Sequence, residues 1–186
     1  TYPWLALTQD LPELTTLDRH IATPKGYTRQ KIEDRMSYAA YLRGLPVRTD
    51  REDVLLYTGE KVWMPSAGVI PLDLGKRDVH QCADSVIRLH AEWLWSIDRE
   101  DEAAYHYTSG DLAAWKDWKK GKVLKVKGNK VLQVSSTKSP DTHDAYRKWL
   151  DKVFTYASTR SLHRDSKKIN SSSDLQSGDF YLQGGS

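Results

Sequence analysis

The chain has one cysteine, two methionines and two phenylalanines among 186 residues. A lone cysteine cannot close an internal disulfide, so the count leaves the redox compartment open. The histidines, His20, His80, His90, His106, His143 and His163, are scattered without the short spacings of a zinc site. No metal and no other cofactor is expected. No apolar run approaches the roughly 18 residues of a membrane-spanning helix, so no transmembrane segment is expected either. An excess of one charge is also missing. The 28 basic and 25 acidic residues leave +3, too balanced to argue for a nucleic-acid partner. With 39% apolar and 28% charged residues, the chain reads as a folded globular protein of ordinary core size.

Tryptophan and tyrosine are plentiful, with seven and ten copies. Trp115 and Trp118 are interleaved with Lys116, Lys119, Lys120, Lys122, Lys125, Lys127 and Lys130, all within sixteen positions. This strip suits contact with a glycan or an anionic polymer, and makes both tryptophans candidate substrate-binding residues. The plainer reading is a solvated hairpin whose lysines discourage edge pairing.

Residues 1–35 hold Pro3, Pro12, Pro24 and Gly26 and read as an N-terminal arm, with residues 36–186 as one α+β domain. Ser37 opens a helix over Tyr38–Arg43 that Gly44 and Pro46 stop. Residues 54–57 and 61–64 pattern as a hairpin, and residues 68–74 as a further strand that Pro71 confines to an edge or bulge. The longest helix spans residues 78–98, with Asp78 as its cap and Val79, Cys82, Val86, Trp93 and Ile97 as its apolar stripe. Residues 104–108 read as a strand, and a short helix carries the two tryptophans. A hairpin turns at Gly128-Asn129. Ser139-Pro140 marks the start of the next helix. Residues 164–177 read as a polar loop and residues 179–183 as a last strand.

Cys82 is the sharpest chemical candidate. A thiol in the first turn of a helix sits in positive potential, which favours the thiolate. The plainer reading is a small buried hydrophobe. Its base must come from another element. His80 lies about 200° round the helix, and His90 about 12 Å along it. His106, alternating with Tyr105 and Tyr107, is the best internal candidate, whereas His143 is expected to face solvent. Gln81 could donate to a developing oxyanion and Asp84 could orient a base. Asp73, Arg77 and Asp78 cluster before the helix as site-supporting residues, or simply hold a loop. The start, Thr1-Tyr2-Pro3-Trp4, has no initiator Met and no signal pattern, so it reads as a trimmed form.

Residues 37–46 (SYAAYLRGLP) and 74–84 (LGKRDVHQCAD) resemble a bacterial family known as domain of unknown function 4846. Residues 107–110 (YTSG), 153–157 (VFTYA) and 178–185 (GDFYLQGG) extend the resemblance in the same order. Gln81-Cys82-Ala83-Asp84 and Leu175-Gln176-Ser177-Gly178-Asp179-Phe180 are also similar to NlpC-type cell-wall cysteine peptidases. That likeness implies a papain-like fold, with a long Cys-bearing helix packed on a mostly antiparallel sheet. It further implies Cys82 as nucleophile, a peptidoglycan-type or other envelope-polymer substrate, and a periplasmic or secreted location. In those enzymes the catalytic His follows the Gly-Asp strand, so the resemblance places that His beyond Ser186. Two rivals stand beside the hydrolase: a non-catalytic glycan- or polyanion-binding module, and an interaction domain in which Cys82 is only core.

Overall fold

The computed structural model of the chain describes residues 2–7, 11 and 13–183. Pro12 of the expected arm and the closing Gly184-Gly185-Ser186 lie outside the described residues. The chain divides into two compact units, Thr1–Asp78 with Gln176–Gly178, and Val79–Leu175 with Asp179–Ser186. The class is α+β, with helices and small antiparallel sheets of two strands each.

In the first unit, β1 (Leu14–Thr16) runs into α1 (Leu17–His20). Next comes α2 (Tyr38–Arg43), then β2 (Pro46–Arg48), which pairs antiparallel with β1. Ser37 caps α2 as expected, its Oγ accepting the Ala40 N–H at 3.2 Å. Residues from the expected arm are therefore part of the packing. Trp4 is fully buried with Tyr41, Leu45 and Val47, and the Tyr2 hydroxyl donates to the Tyr41 carbonyl at 2.8 Å. The expected hairpin over 54–64 shrinks to a single bridge between Leu55 and Lys61. Trp63 there is 89% exposed, so this ribbon has no partner face to bury and little to hold a longer ladder. Residues 68–74 form no strand. Their one pairing to β2 is the Arg48 N–H donated to Val69 O at 2.9 Å.

The second unit is built on α3 (Cys82–Ser96). A hairpin follows, β3 (Ala104–His106) against β4 (Leu112–Ala114), closed by Gly110 at φ +99°. Then come α4 (Trp115–Lys119) and the longer hairpin β5 (Lys122–Lys127) with β6 (Lys130–Ser135). Gly128, at φ +58°, supplies the left-handed residue of its turn. The unit continues with α5 (His143–Tyr156) and α6 (Thr159–Asp165). Thr142, not Ser139, caps α5, accepting the Ala145 N–H at 3.4 Å. Ser158 caps α6, accepting the Arg160 N–H at 3.2 Å. The expected strand over 179–183 does not form, although Leu182 packs against the core.

Aromatic rings fill the centre of this unit. Tyr146 lies 4.9 Å from Trp95 and 5.2 Å from both Trp115 and Trp149, centroid to centroid. Its hydroxyl donates to Ala91 O at 3.0 Å, which ties α5 to α3. Such rings contribute both buried area and edge-to-face attraction.

The inward face of α3 differs from the expected stripe. Ala83, Ile87, Ala91 and Leu94 are buried, together with the charged Asp84, Arg88 and Glu92. Cys82 is exposed. At about 100° per residue, Cys82 falls opposite the middle of the buried arc. Val86 and Trp93 lie on the Cys82 side of the helix and Val79 precedes it, yet all three are partly buried against the core. The reading of Cys82 as a core hydrophobe therefore fails. Ile87→Ala should cost about 2–5 kcal/mol of unfolding free energy, whereas Cys82→Ala should stay within about 0.5 kcal/mol. Urea denaturation of the two variants checks this, and equal losses would contradict the assigned face.

Candidate functional site

Cys82 is the first helical residue of α3, and Gln81 is its cap. The helix start is fixed by Asp84, whose Oδ2 accepts the Gln81 backbone N–H at 3.1 Å. Asp78, expected as the cap, lies outside the helix and is exposed. The Ser85 hydroxyl adds a bond to Gln81 O at 2.9 Å. Asp84 is 6% exposed, and burial raises its carboxyl above the ordinary value while the Gln81 N–H works against that rise. Its observed work is to hold the helix start, not to orient a histidine. Gln81 itself is exposed. The Gln81 side chain takes the Asp84 N–H in return, so a capping box closes this start and the exposed sulfur lies directly after its cap residue.

Most of the histidines are engaged elsewhere. The His20 Nε2 lies 2.6 Å from Ala67 O in the first unit. His80 stacks on Phe154 at 5.1 Å. The His90 Nδ1 lies 2.9 Å from the Tyr105 hydroxyl, and burial depresses its basicity. His106, on β3, is held by Asp165 at the end of α6. One carboxylate oxygen of Asp165 meets the His106 Nδ1, and the other accepts the His106 backbone N–H at 2.9 Å. The second bond fixes the carboxylate against the strand, so the ring is oriented by a clamped group. Both side chains are partly exposed, at 26% and 15%. With Nδ1 occupied, Nε2 is the ring nitrogen left for chemistry, which is the base-and-orienter arrangement of nucleophilic sites. Among the described residues, Cys82 makes no hydrogen bond to a histidine. Asp165 had no signal in the sequence, because it lies 59 positions from His106.

His143 does not face solvent as expected. Its Nε2 lies 2.8 Å from Glu92 Oε2, while Arg88 Nε donates to Glu92 Oε1 at 2.6 Å. The side chains of Arg88 and Glu92 are fully buried, and Trp95 meets the His143 ring edge-on at 5.4 Å. The i,i+4 spacing of Arg88 and Glu92 was visible in the sequence, but it reads there as an ordinary surface pair. Burial by itself would raise the Glu92 carboxyl. The His143 hydrogen bond and the charges of Arg88 and His143 outweigh it and hold the group below its ordinary 4.5.

The supporting residues named from the sequence lie in the first unit. Asp73 Oδ1 accepts the Gly75 N–H at 3.0 Å, which is a loop-holding role, and Arg77 and Asp78 are exposed. Trp115 is fully buried and cannot present a face to a ligand. Trp118 is partly buried and lines a small cavity of about 80 Å³ with Asp117, Lys122 and Gln133.

The Glu92 network sets an acid limit to stability. A carboxyl held below its unfolded value contributes fully above pH 4.5, and the contribution is lost as pH falls through the lower folded value. Glu92→Gln leaves Arg88 buried without its carboxylate, and should cost about 3–5 kcal/mol at neutral pH. It should also flatten the loss of stability below pH 4.5. Chemical denaturation across pH checks both, and an unchanged acid limb would remove Glu92 from this role.

No curated protein and no solved structure matches the chain. A family profile described as Domain of unknown function (4846) matches residues 17–186, which include Cys82, His106 and Asp165. The chain therefore belongs to the family of domain of unknown function 4846.

Proposed function

We propose that this protein is a bacterial cell-envelope cysteine hydrolase, distantly NlpC-like and papain-like, that cleaves an amide bond in a peptidoglycan-type substrate. The observation that carries the reading is the exposure of Cys82 as the first residue of the longest helix. The clamped His106–Asp165 pair in the same unit adds to it.

The chemistry follows from these groups. The Cys82 sulfur attacks the amide carbonyl, forming a C–S bond, and its proton passes to the imidazole. Backbone N–H groups of the first turn receive the developing oxyanion. The C–N bond then breaks, and the imidazole returns the proton to the leaving amine. Water attacks the thioester, releases the acid and restores the thiol. His106 takes the base role in this reading, and the Asp165 carboxylate keeps its ring in one orientation. Cys82 and His106 make no hydrogen bond to each other among the described residues, so the base role of His106 is the step that its own variant tests. The NlpC pattern supplies the rival base, a His following the Gly178-Asp179 turn.

Amine release from purified peptidoglycan fragments tests the proposal. Cys82→Ala should abolish it and leave the far-UV spectrum and melting temperature unchanged. His106→Ala should lower the rate by about 10²–10⁴-fold if it is the base. Full activity of Cys82→Ala ends the hydrolase reading, whereas full activity of His106→Ala alone removes His106 from the base role.

A further inference from the structure

The hairpin β5–β6 has two faces, set by the alternation of side chains along each strand. Pairing of Leu124 with Gln133 and of Val126 with Val131 puts Lys122, Leu124, Val126, Val131 and Gln133 on one face. Leu124, Val126 and Val131 of that set pack against the core. Lys122 and Gln133 continue the same face past the apolar contact, and there they line the cavity beside β4 and α4. The other walls include Tyr107, Asp117, Trp118 and Trp149. The lysines at 125, 127 and 130 belong to the opposite face or to the turn and take no part.

The polar side chains around this cavity are open to water, Lys122 and Gln133 being exposed and Asp117 half-buried. Among the described residues, the side chains of Asp117, Lys122 and Gln133 make no hydrogen bond or ion pair. Nearby Lys119, by contrast, bridges Asp101 at 2.6 Å and Asp141 at 2.5 Å. Charges on this surface thus pair where they can reach one another. Tyr107 is only 2% exposed, and its hydroxyl likewise donates to nothing among the described residues. Burial, with Tyr156 and Asp111 close by, pushes its pKa up to about 12, so it stays a neutral donor at any physiological pH. The hydroxyl oxygen is not among the fully buried atoms, so it is left to water or to a ligand group.

We propose that this cavity is a binding subsite for a neutral sugar residue of a glycan. The charges of Asp117 and Lys122 cancel, which disfavours both a polyanion and a cation. What remains is a carboxylate acceptor, an ammonium, an amide and a phenol, spaced around aromatic walls. A pyranose offers the complementary surface, hydroxyls that both donate and accept around its edge and C–H groups on its faces. A volume of about 80 Å³ has room for several waters, and so takes one edge of such a ring, with the half-buried Trp118 as its one partly accessible aromatic wall. The subsite uses neither Cys82 nor His106, and stands whether or not the hydrolase reading does.

The test is an NMR titration of the isotope-labelled full chain with glucose and with N-acetylglucosamine, up to tens of millimolar. The expected result is a saturable shift of the Trp118 indole and of the Lys122 and Gln133 amides with at least one sugar. Asp117→Asn and Tyr107→Phe should each weaken that binding about threefold or more, and Trp118→Ala about tenfold. Spectral dispersion reports whether each variant is folded, and the first two variants decide the matter if Trp118→Ala is not. Cys82→Ala should bind as the wild type does, which separates this subsite from the proposed catalysis. Absence of a saturable shift with both sugars overturns the proposal. So does binding that Asp117→Asn and Tyr107→Phe leave unchanged.

Discussion

The burial of a charged row along α3 constrains the rest of the second unit. Asp84, Arg88 and Glu92 follow one another at four-residue steps and all lie inside. Charges enter a core only when something neutralises them. Glu92 meets Arg88 on its own helix and His143 from α5, so α5 has to lie where its first turn reaches Glu92. Asp84 instead serves the helix start through the Gln81 N–H. With that arc turned inward, the opposite side is left nearer the surface, where Val86 and Trp93 still pack partly against the core and Cys82, at the helix start, is exposed. Cys82 is on that side, and its accessibility is a consequence of charges placed six and ten residues further along.

Aromatic packing fixes the same geometry by a second route. Tyr146 is wedged among Trp95, Trp115 and Trp149 and spends its hydroxyl on the α3 carbonyl of Ala91. Tyr105 extends the cluster to β3, lying 5.9 Å from Trp149 and hydrogen-bonded to His90. Alternation along the strand then sends His106 the other way from Tyr105, toward the surface, where α6 offers Asp165. The orientation of this imidazole thus descends from a buried tyrosine one residue before it.

The two candidate sites draw on different parts of one frame. The thiol and the clamped imidazole belong to a helix start and a strand end. The sugar subsite belongs to the far end of a hairpin face, whose apolar middle anchors it to the core. The tryptophans of α4 divide the labour: Trp115 is consumed by the core, and Trp118, three positions on, reaches the cavity. Three positions on a helix share a side only roughly, and here the difference decides between full and partial burial.

Local features were readable from the chain. Ser37 as a cap, the stop at Gly44, the turn at Gly128-Asn129 and the α+β class all follow from short-range chemistry, in which a residue and its near neighbours settle the outcome. Cys82 at a helix start was equally legible, since first-turn position depends only on the helix boundary. The inward face of α3 was not. The expected stripe gives way because Arg88 and Glu92 are made burial-competent by His143, more than fifty positions away from Glu92. The same holds for the His106–Asp165 pair, for the missing strand at 179–183 and for the burial of Trp115. Each turns on a partner that only the folded chain brings within reach, and a side chain's free energy of burial is undefined until that partner is in place.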